Sequence, residues 1–152
     1  MTNLFWKECF KEAKKAFTKD EVPVGCIIVK NNIIIARGHN LKEKHKDSTA
    51  HAEIIAIKKA QKKLNDWRLI ECDMYVTLEP CPMCAGAILH SRIRNVYYAA
   101  ADPNWGAETK LKIFSKKHFN HQVKFQETLL KESSMLLKTF FKEKRNKKII
   151  HK

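Results

Sequence analysis

Long apolar stretches are missing from this chain: no run approaches the roughly 18 residues needed to cross a bilayer, so no membrane partner is expected. A signal-peptide pattern is missing too. The opening Met1-Thr2-Asn3-Leu4-Phe5-Trp6-Lys7-Glu8-Cys9 leads, with Glu8 and Glu12, straight into an amphipathic pattern, and a cytoplasmic location is expected. Cysteine is sparse and odd in number, five in all, which argues against a disulfide framework; Cys9, Cys26 and Cys72 read as small apolar residues in a reducing compartment. Glycine and proline number only four each, and repeats, linkers and low-complexity segments are lacking. Acidic residues are outnumbered, 16 against 30 Lys and Arg, for a formal charge of +14. That excess favours a polyanionic partner such as nucleic acid. Richness in Lys, Ile and Asn with little Gly or Pro is also the mark of an AT-rich genome, which raises the lysine count by itself.

What is present suffices for one domain: 152 residues, 44% hydrophobic and 30% charged, can bury a sizeable core. Leu4, Phe5, Cys9, Ala13, Ala16 and Phe17 recur at helical spacing, predicting a helix over residues 3 to 18 that stops at Asp20-Glu21-Val22-Pro23. Two β-branched runs, 25 to 29 and 33 to 37, flank Lys30-Asn31-Asn32 and predict a hairpin, since Asn tolerates left-handed backbone. A polar, basic loop from Asn40 to Ser48 follows, then a helix from 51 to about 63 expected to bury Ile54, Ile55 and Ile57. Strands are predicted at 74 to 78, 95 to 99 and 122 to 125, and helices at 82 to 91, near 109 to 115, and from 128 to 144; residues 146 to 152 read as a basic, fraying tail. The alternation gives a three-layer α/β domain around a five-stranded mixed sheet.

Two short stretches carry the chemistry. Thr49-Ala50-His51-Ala52-Glu53-Ile54 and Leu78-Glu79-Pro80-Cys81-Pro82-Met83-Cys84-Ala85-Gly86 together offer one His and two Cys, the ligand count of a catalytic zinc that keeps a position for water. Cys81 and Cys84, three apart, share a face at a helix start, with Pro82 suited to the first helical position. His51 and Glu53, two apart, would diverge by about 200° on a regular helix, so they are expected in a first turn, with Asp47, Ser48 and Thr49 as capping residues. A lone C-x-x-C also serves redox pairs and zinc knuckles. No second C-x-x-C exists here, and His51, Glu53 and Pro80 complete a different set. Glu53 by itself could be a solvated helix carboxylate, which its place beside His51 argues against.

H-x-E followed by P-C-x-x-C is a known signature of zinc deaminases. Beyond it, Tyr75-Val76-Thr77-Leu78, Ala87-Ile88, His90-Ser91-Arg92-Ile93, Asp102-Pro103, Phe119-Asn120-His121 and the Phe140-Phe141 pair before basic residues resemble the bacterial tRNA-specific adenosine deaminases of the cytidine deaminase superfamily, over roughly residues 3 to 145. The resemblance implies a cytidine deaminase-like αβα fold and a zinc-dependent deaminase domain over residues 1 to 145. It implies one zinc per subunit on His51, Cys81 and Cys84, with Glu53 as the catalytic proton carrier. It also implies a homodimer, and a tRNA anticodon loop as substrate, in which the wobble adenosine of an arginine tRNA becomes inosine. Asn40 resembles the family's base-contacting Asn, with a turn residue as the other reading, and Asp102 a residue near the flipped nucleotide, with a loop cap as the other reading. Trp105 and Glu108-Thr109 stand where the family commonly has small residues around a Gly-rich turn. His39, His45, His90, His118 and His121 receive no assignment. A deaminase of a free base or nucleotide, of guanine, cytosine or cytidine type, is the alternative function, and a catalytically silent RNA-binding module with structural zinc is a third.

Overall fold

The computed structural model of the protein describes residues 2–150. Helix α1 (Thr2–Thr18) precedes the hairpin β1 (Gly25–Lys30) and β2 (Ile33–His39). Next come α2 (Lys42–His45), α3 (Ala52–Leu64), β3 (Cys72–Val76), α4 (Pro82–His90), β4 (Asn95–Tyr98), α5 (Ala107–Leu111), β5 (Lys124–Glu127) and α6 (Lys131–Ile150). The sheet order is β2-β1-β3-β4-β5, antiparallel among the first three strands and parallel from β3 onward. This is the expected five-stranded mixed sheet. The hairpin turns on Asn31 and Asn32, both left-handed at φ 49 and φ 60, the pairing that matches strand twist in a two-residue turn.

Alternation along the strands sorts the core into two layers. Cys26, Ile28, Met74, Val76 and Val96 face α3, α4 and α5, while Ile27, Val29 and Tyr75 face Phe5, Trp6, Cys9 and Phe10 of α1. Fully burying a side chain such as Ile27, Ile28 or Met74 contributes about 1.5–3 kcal/mol, so the central strands β1 and β3 anchor both layers. Helix α6 lies beside α1, through Phe140 on Phe17 at 5.9 Å and Lys144 on Asp20 at 2.6 Å.

Some expectations need correcting. Helix α3 buries Ala52, Glu53, Ala56, Ile57 and Ala60, whereas Ile54 and Ile55 are only half-buried. Small residues turn inward because α3 lies hard against the hairpin: a Cβ at Gly38 would stand 2.4 Å from the Ala52 carbonyl oxygen. The loop after β2 contains the four-residue α2, too short to show a period. Helix α6 continues through Ile150, across the stretch read as a tail; His151 and Lys152 lie outside the described residues.

Candidate active site

Two helix starts converge where β3 ends. His51 is the N-cap of α3 at φ −77 and ψ 153, and Cys81 the N-cap of α4 at φ −74 and ψ 171, followed by Pro82. Neither side chain bonds its own helix, so both are free to turn toward a third group. The expected caps do other work: the Asp47 carboxylate accepts the Thr49 N–H at 2.8 Å and hydroxyl at 2.7 Å, closing the turn before His51 rather than capping α3. With His51 at the cap, Glu53 falls in the first turn and both reach the same cleft.

His51 Nδ1 lies 3.7 Å from Cys81 Sγ and 3.5 Å from Cys84 Sγ, and the three ligand atoms lie within 4.8 Å of one another. A tetrahedral ion with bonds of about 2.3 Å to sulfur and about 2.0–2.1 Å to nitrogen separates those atoms by about 3.6 Å. The spacing therefore suits zinc without rearrangement. The donor set suits it too, since thiolate and imidazole are zinc's preferred partners. The hydrogen bond from Cys84, with help from His51, holds the Cys81 thiol down at about 4, against the upward push of burial, while Cys84 is pushed up: two sulfurs this close share one proton. Two helix N-termini add positive potential at the same spot.

Glu53 is buried at 4% exposure, and that burial pushes its carboxyl up to about 7. A carboxyl balanced between its two protonation states at neutral pH can both take and give a proton. The cleft in front of it, about 540 Å³, is lined by Asn40, Lys42 and Ser48 on one rim and by Glu79, Asp102 and Trp105 on the other. Five of the six candidate residues, His51, Glu53, Cys81, Asn40 and Asp102, thus line one cavity, and the sixth, Cys84, is fully buried and meets His51 at 3.5 Å. Asn40 is 8% exposed and its Oδ1 finds no partner. Asp102 Oδ1 accepts the N–H groups of Asn104 and Trp105, so it caps its own loop as well as lining the cleft.

Three carboxylates, Glu79, Glu21 and Glu12, receive no role at the site in the sequence reading. Glu79, 2% exposed, accepts the N–H of Asp102 at 2.9 Å, of Glu108 at 3.0 Å and of Thr109 at 2.7 Å, and the Thr109 hydroxyl at 2.7 Å. One carboxylate thereby ties the loop at 102 and the N-terminus of α5 to the strand end that carries Cys81. Gly106 is required by this contact, because a Cβ there would stand 2.3 Å from Glu79 Oε2. Glu21, 1% exposed, does the same on the other rim, accepting Glu43 N–H at 3.1 Å and Lys44 N–H at 2.7 Å at the start of α2. Behind Asn40, the His39 Nδ1 meets Glu12 Oε2 at 2.8 Å. Burial pushes the Glu12 carboxyl up, but hydrogen bonds from His39 and Lys15 outweigh it and hold it at about 2. The one available signal was an acidic residue, Glu79, directly before Pro80-Cys81 at a strand end.

The profile of the MafB19-like deaminases matches residues 2–145. The tRNA-specific adenosine deaminase of Bacillus subtilis is 48% identical over 147 residues, covering 95% of this chain and 91% of that protein. That of Aquifex aeolicus is 48% identical over 143 residues, covering 93% and 95%. A solved structure from a study of A-to-I editing by tRNA:A34 deaminases at the wobble position superposes with a TM-score of 0.85 at 41% identity, covering 89% of this chain and 99% of that one.

Proposed function

The chain belongs to the MafB19-like deaminases and to the family of the tRNA-specific adenosine deaminases, hydrolases of C–N bonds, and we propose that it converts adenosine to inosine at the wobble position of a tRNA anticodon, that of tRNA-Arg, with one zinc per subunit. The observation that carries this reading is the triangle of His51, Cys81 and Cys84 at tetrahedral spacing beside a buried carboxyl poised near neutrality. The three residues would hold the metal, which when bound lowers the pKa of water from about 15.7 to about 7.

Glu53 takes a proton from the attacking water and delivers it to purine N1, then takes the proton of the new C6 hydroxyl and delivers it to the departing amino group. Water and adenosine become inosine and ammonia, and Glu53 ends in the state in which it began. The unpartnered Asn40 Oδ1 offers an acceptor to the nucleoside, a pairing supported by the roughly 1–3 kcal/mol that an unsatisfied buried acceptor costs. Asp102 on the facing rim is assigned to the nucleotide's backbone side, through the loop it caps. An unpaired anticodon-loop base is extruded at lower cost than one in a duplex. The homodimer and the cytoplasmic location complete the proposal, resting respectively on the family likeness and on the tRNA substrate.

Incubating the zinc-loaded protein with total tRNA of its own genome and sequencing for A-to-G changes tests this. One edited wobble position supports it. Ammonia released from a free base or nucleotide, with no edited tRNA, transfers the same chemistry to the alternative substrate class; the relatives' names favour tRNA.

A further inference from the structure

The loop between β4 and α5 is built to present one side chain. Trp105 is 69% exposed although it lines the cleft. Its backbone is nonetheless fixed on both sides: its N–H donates to Asp102 Oδ1 at 3.1 Å, and the next residue, Gly106, donates to the Asp102 carbonyl at 3.0 Å while pressed against Glu79. The other two tryptophans are occupied. Trp6 is buried at 5% exposure beside Phe10 and Tyr75, and Trp67 carries the guanidinium of Arg68 4.4 Å from its ring centre and that of Arg92 5.8 Å away. Among the described residues no aromatic ring or cation lies on the indole of Trp105. A large apolar ring held out to water on a fixed backbone is unfavourable unless something covers it.

We propose that Trp105 is a stacking subsite for an unpaired nucleobase adjoining the one that reaches Glu53. The inference rests on the tRNA reading above. Extruding one base unstacks its neighbours, and an aromatic face at the mouth of the cleft replaces the lost stack without reading base identity. Lys42 on the facing rim supplies a cation toward the connecting phosphates. The subsite thus tells a strand from a free nucleoside: only a substrate with a neighbouring base gains from it.

The test uses an anticodon hairpin with adenosine at the wobble position, and two versions carrying an abasic sugar immediately 5′ or 3′ of it. Inosine formation is measured with the wild type, Trp105→Phe and Trp105→Ala. On the intact hairpin Trp105→Ala is expected to lower kcat/KM about tenfold, through KM, the size of one base–aromatic stack, and Trp105→Phe to keep most of the activity. Removing one flanking base should cost the wild type about the same factor and Trp105→Ala nothing further. A Trp105→Ala loss that persists undiminished on both abasic hairpins overturns the proposal, as does an unchanged KM. A wild type that edits none of the hairpins sinks the tRNA reading, and the subsite with it.

Discussion

The floor of the cleft hangs on α3 and α4, 13 and 9 residues long, whereas its rims contain α2 and α5, of 4 and 5 residues. The long helices are fixed by apolar packing, through Ala52, Ala56, Ile57, Ala85 and Ile88 against the sheet. Helices as short as the rims' are unstable alone, and each is held by one buried carboxylate that reaches its N-terminal N–H groups from elsewhere in the chain, Glu21 for α2 and Glu79 for α5. The groups that do chemistry are thus placed by hydrophobic burial, and the walls that receive the substrate by charge-assisted hydrogen bonds.

Changes to the floor should abolish turnover and leave the fold. Glu53→Gln is expected to lower kcat by about 10³-fold, within the range of a lost proton carrier, with zinc content and melting temperature close to wild type; activity within tenfold of wild type would remove Glu53 from its role. Stripping the metal with a chelator, or Cys84→Ala, should end editing while circular dichroism still shows the folded α/β domain, since α3 and α4 are packed independently of the ion. Unfolding on chelation would break the distinction between floor and rim.

Changes to the rims should do the reverse. Glu79→Gln is expected to cost about 2–3 kcal/mol, because it replaces a charged acceptor of four hydrogen bonds, and to lower Tm by about 5–10 °C in a domain of this size, while raising KM more than it lowers kcat. Glu21→Gln, with two bonds at stake, should lose about 1–2 kcal/mol. If the order of the two variants is inverted in a denaturant titration, counting bonds is the wrong measure of how the rims are held.

Resistance to acid turns on one further carboxylate. Glu12, behind Asn40, titrates at about 2 in the folded protein and near 4.5 when unperturbed. A carboxyl depressed on folding contributes stability that is whole above the unfolded value and is lost as pH falls toward the folded one. The wild type should therefore lose stability between about pH 4.5 and 2, and Glu12→Gln should lack that component. Superimposable pH profiles would show that the His39 contact does not hold in solution.

The floor could be read from the sequence because its determinants are local: His51 and Glu53 are two apart, Cys81 and Cys84 three apart, and both pairs sit at helix starts marked by their own neighbours. The β-branched runs at 25 to 29 and 33 to 37 likewise announced the hairpin of β1 and β2. The rims could not be read, since Glu21 meets Glu43 and Lys44 across 22 and 23 residues, and Glu79 meets Glu108 and Thr109 across 29 and 30. No periodicity connects such positions. Helix α3 misled for a related reason: its inward face is chosen by the close approach at Gly38, which favours Ala over Ile at the contact.

Glu79 has a consequence for how such a protein can change. It follows β3 and grips three backbone N–H groups of the segment from Asp102 to Thr109, and one side chain, the Thr109 hydroxyl. A socket of that kind accepts any insert that offers a glycine at position 106, a hydroxyl at position 109 and amides in the same places, whatever side chains the insert carries outward. Sequence between those fixed points is free to vary, or to be exchanged by an engineer, without disturbing the metal ligands one layer below. Selectivity and reactivity then become separable traits, tuned by different stretches of one small domain.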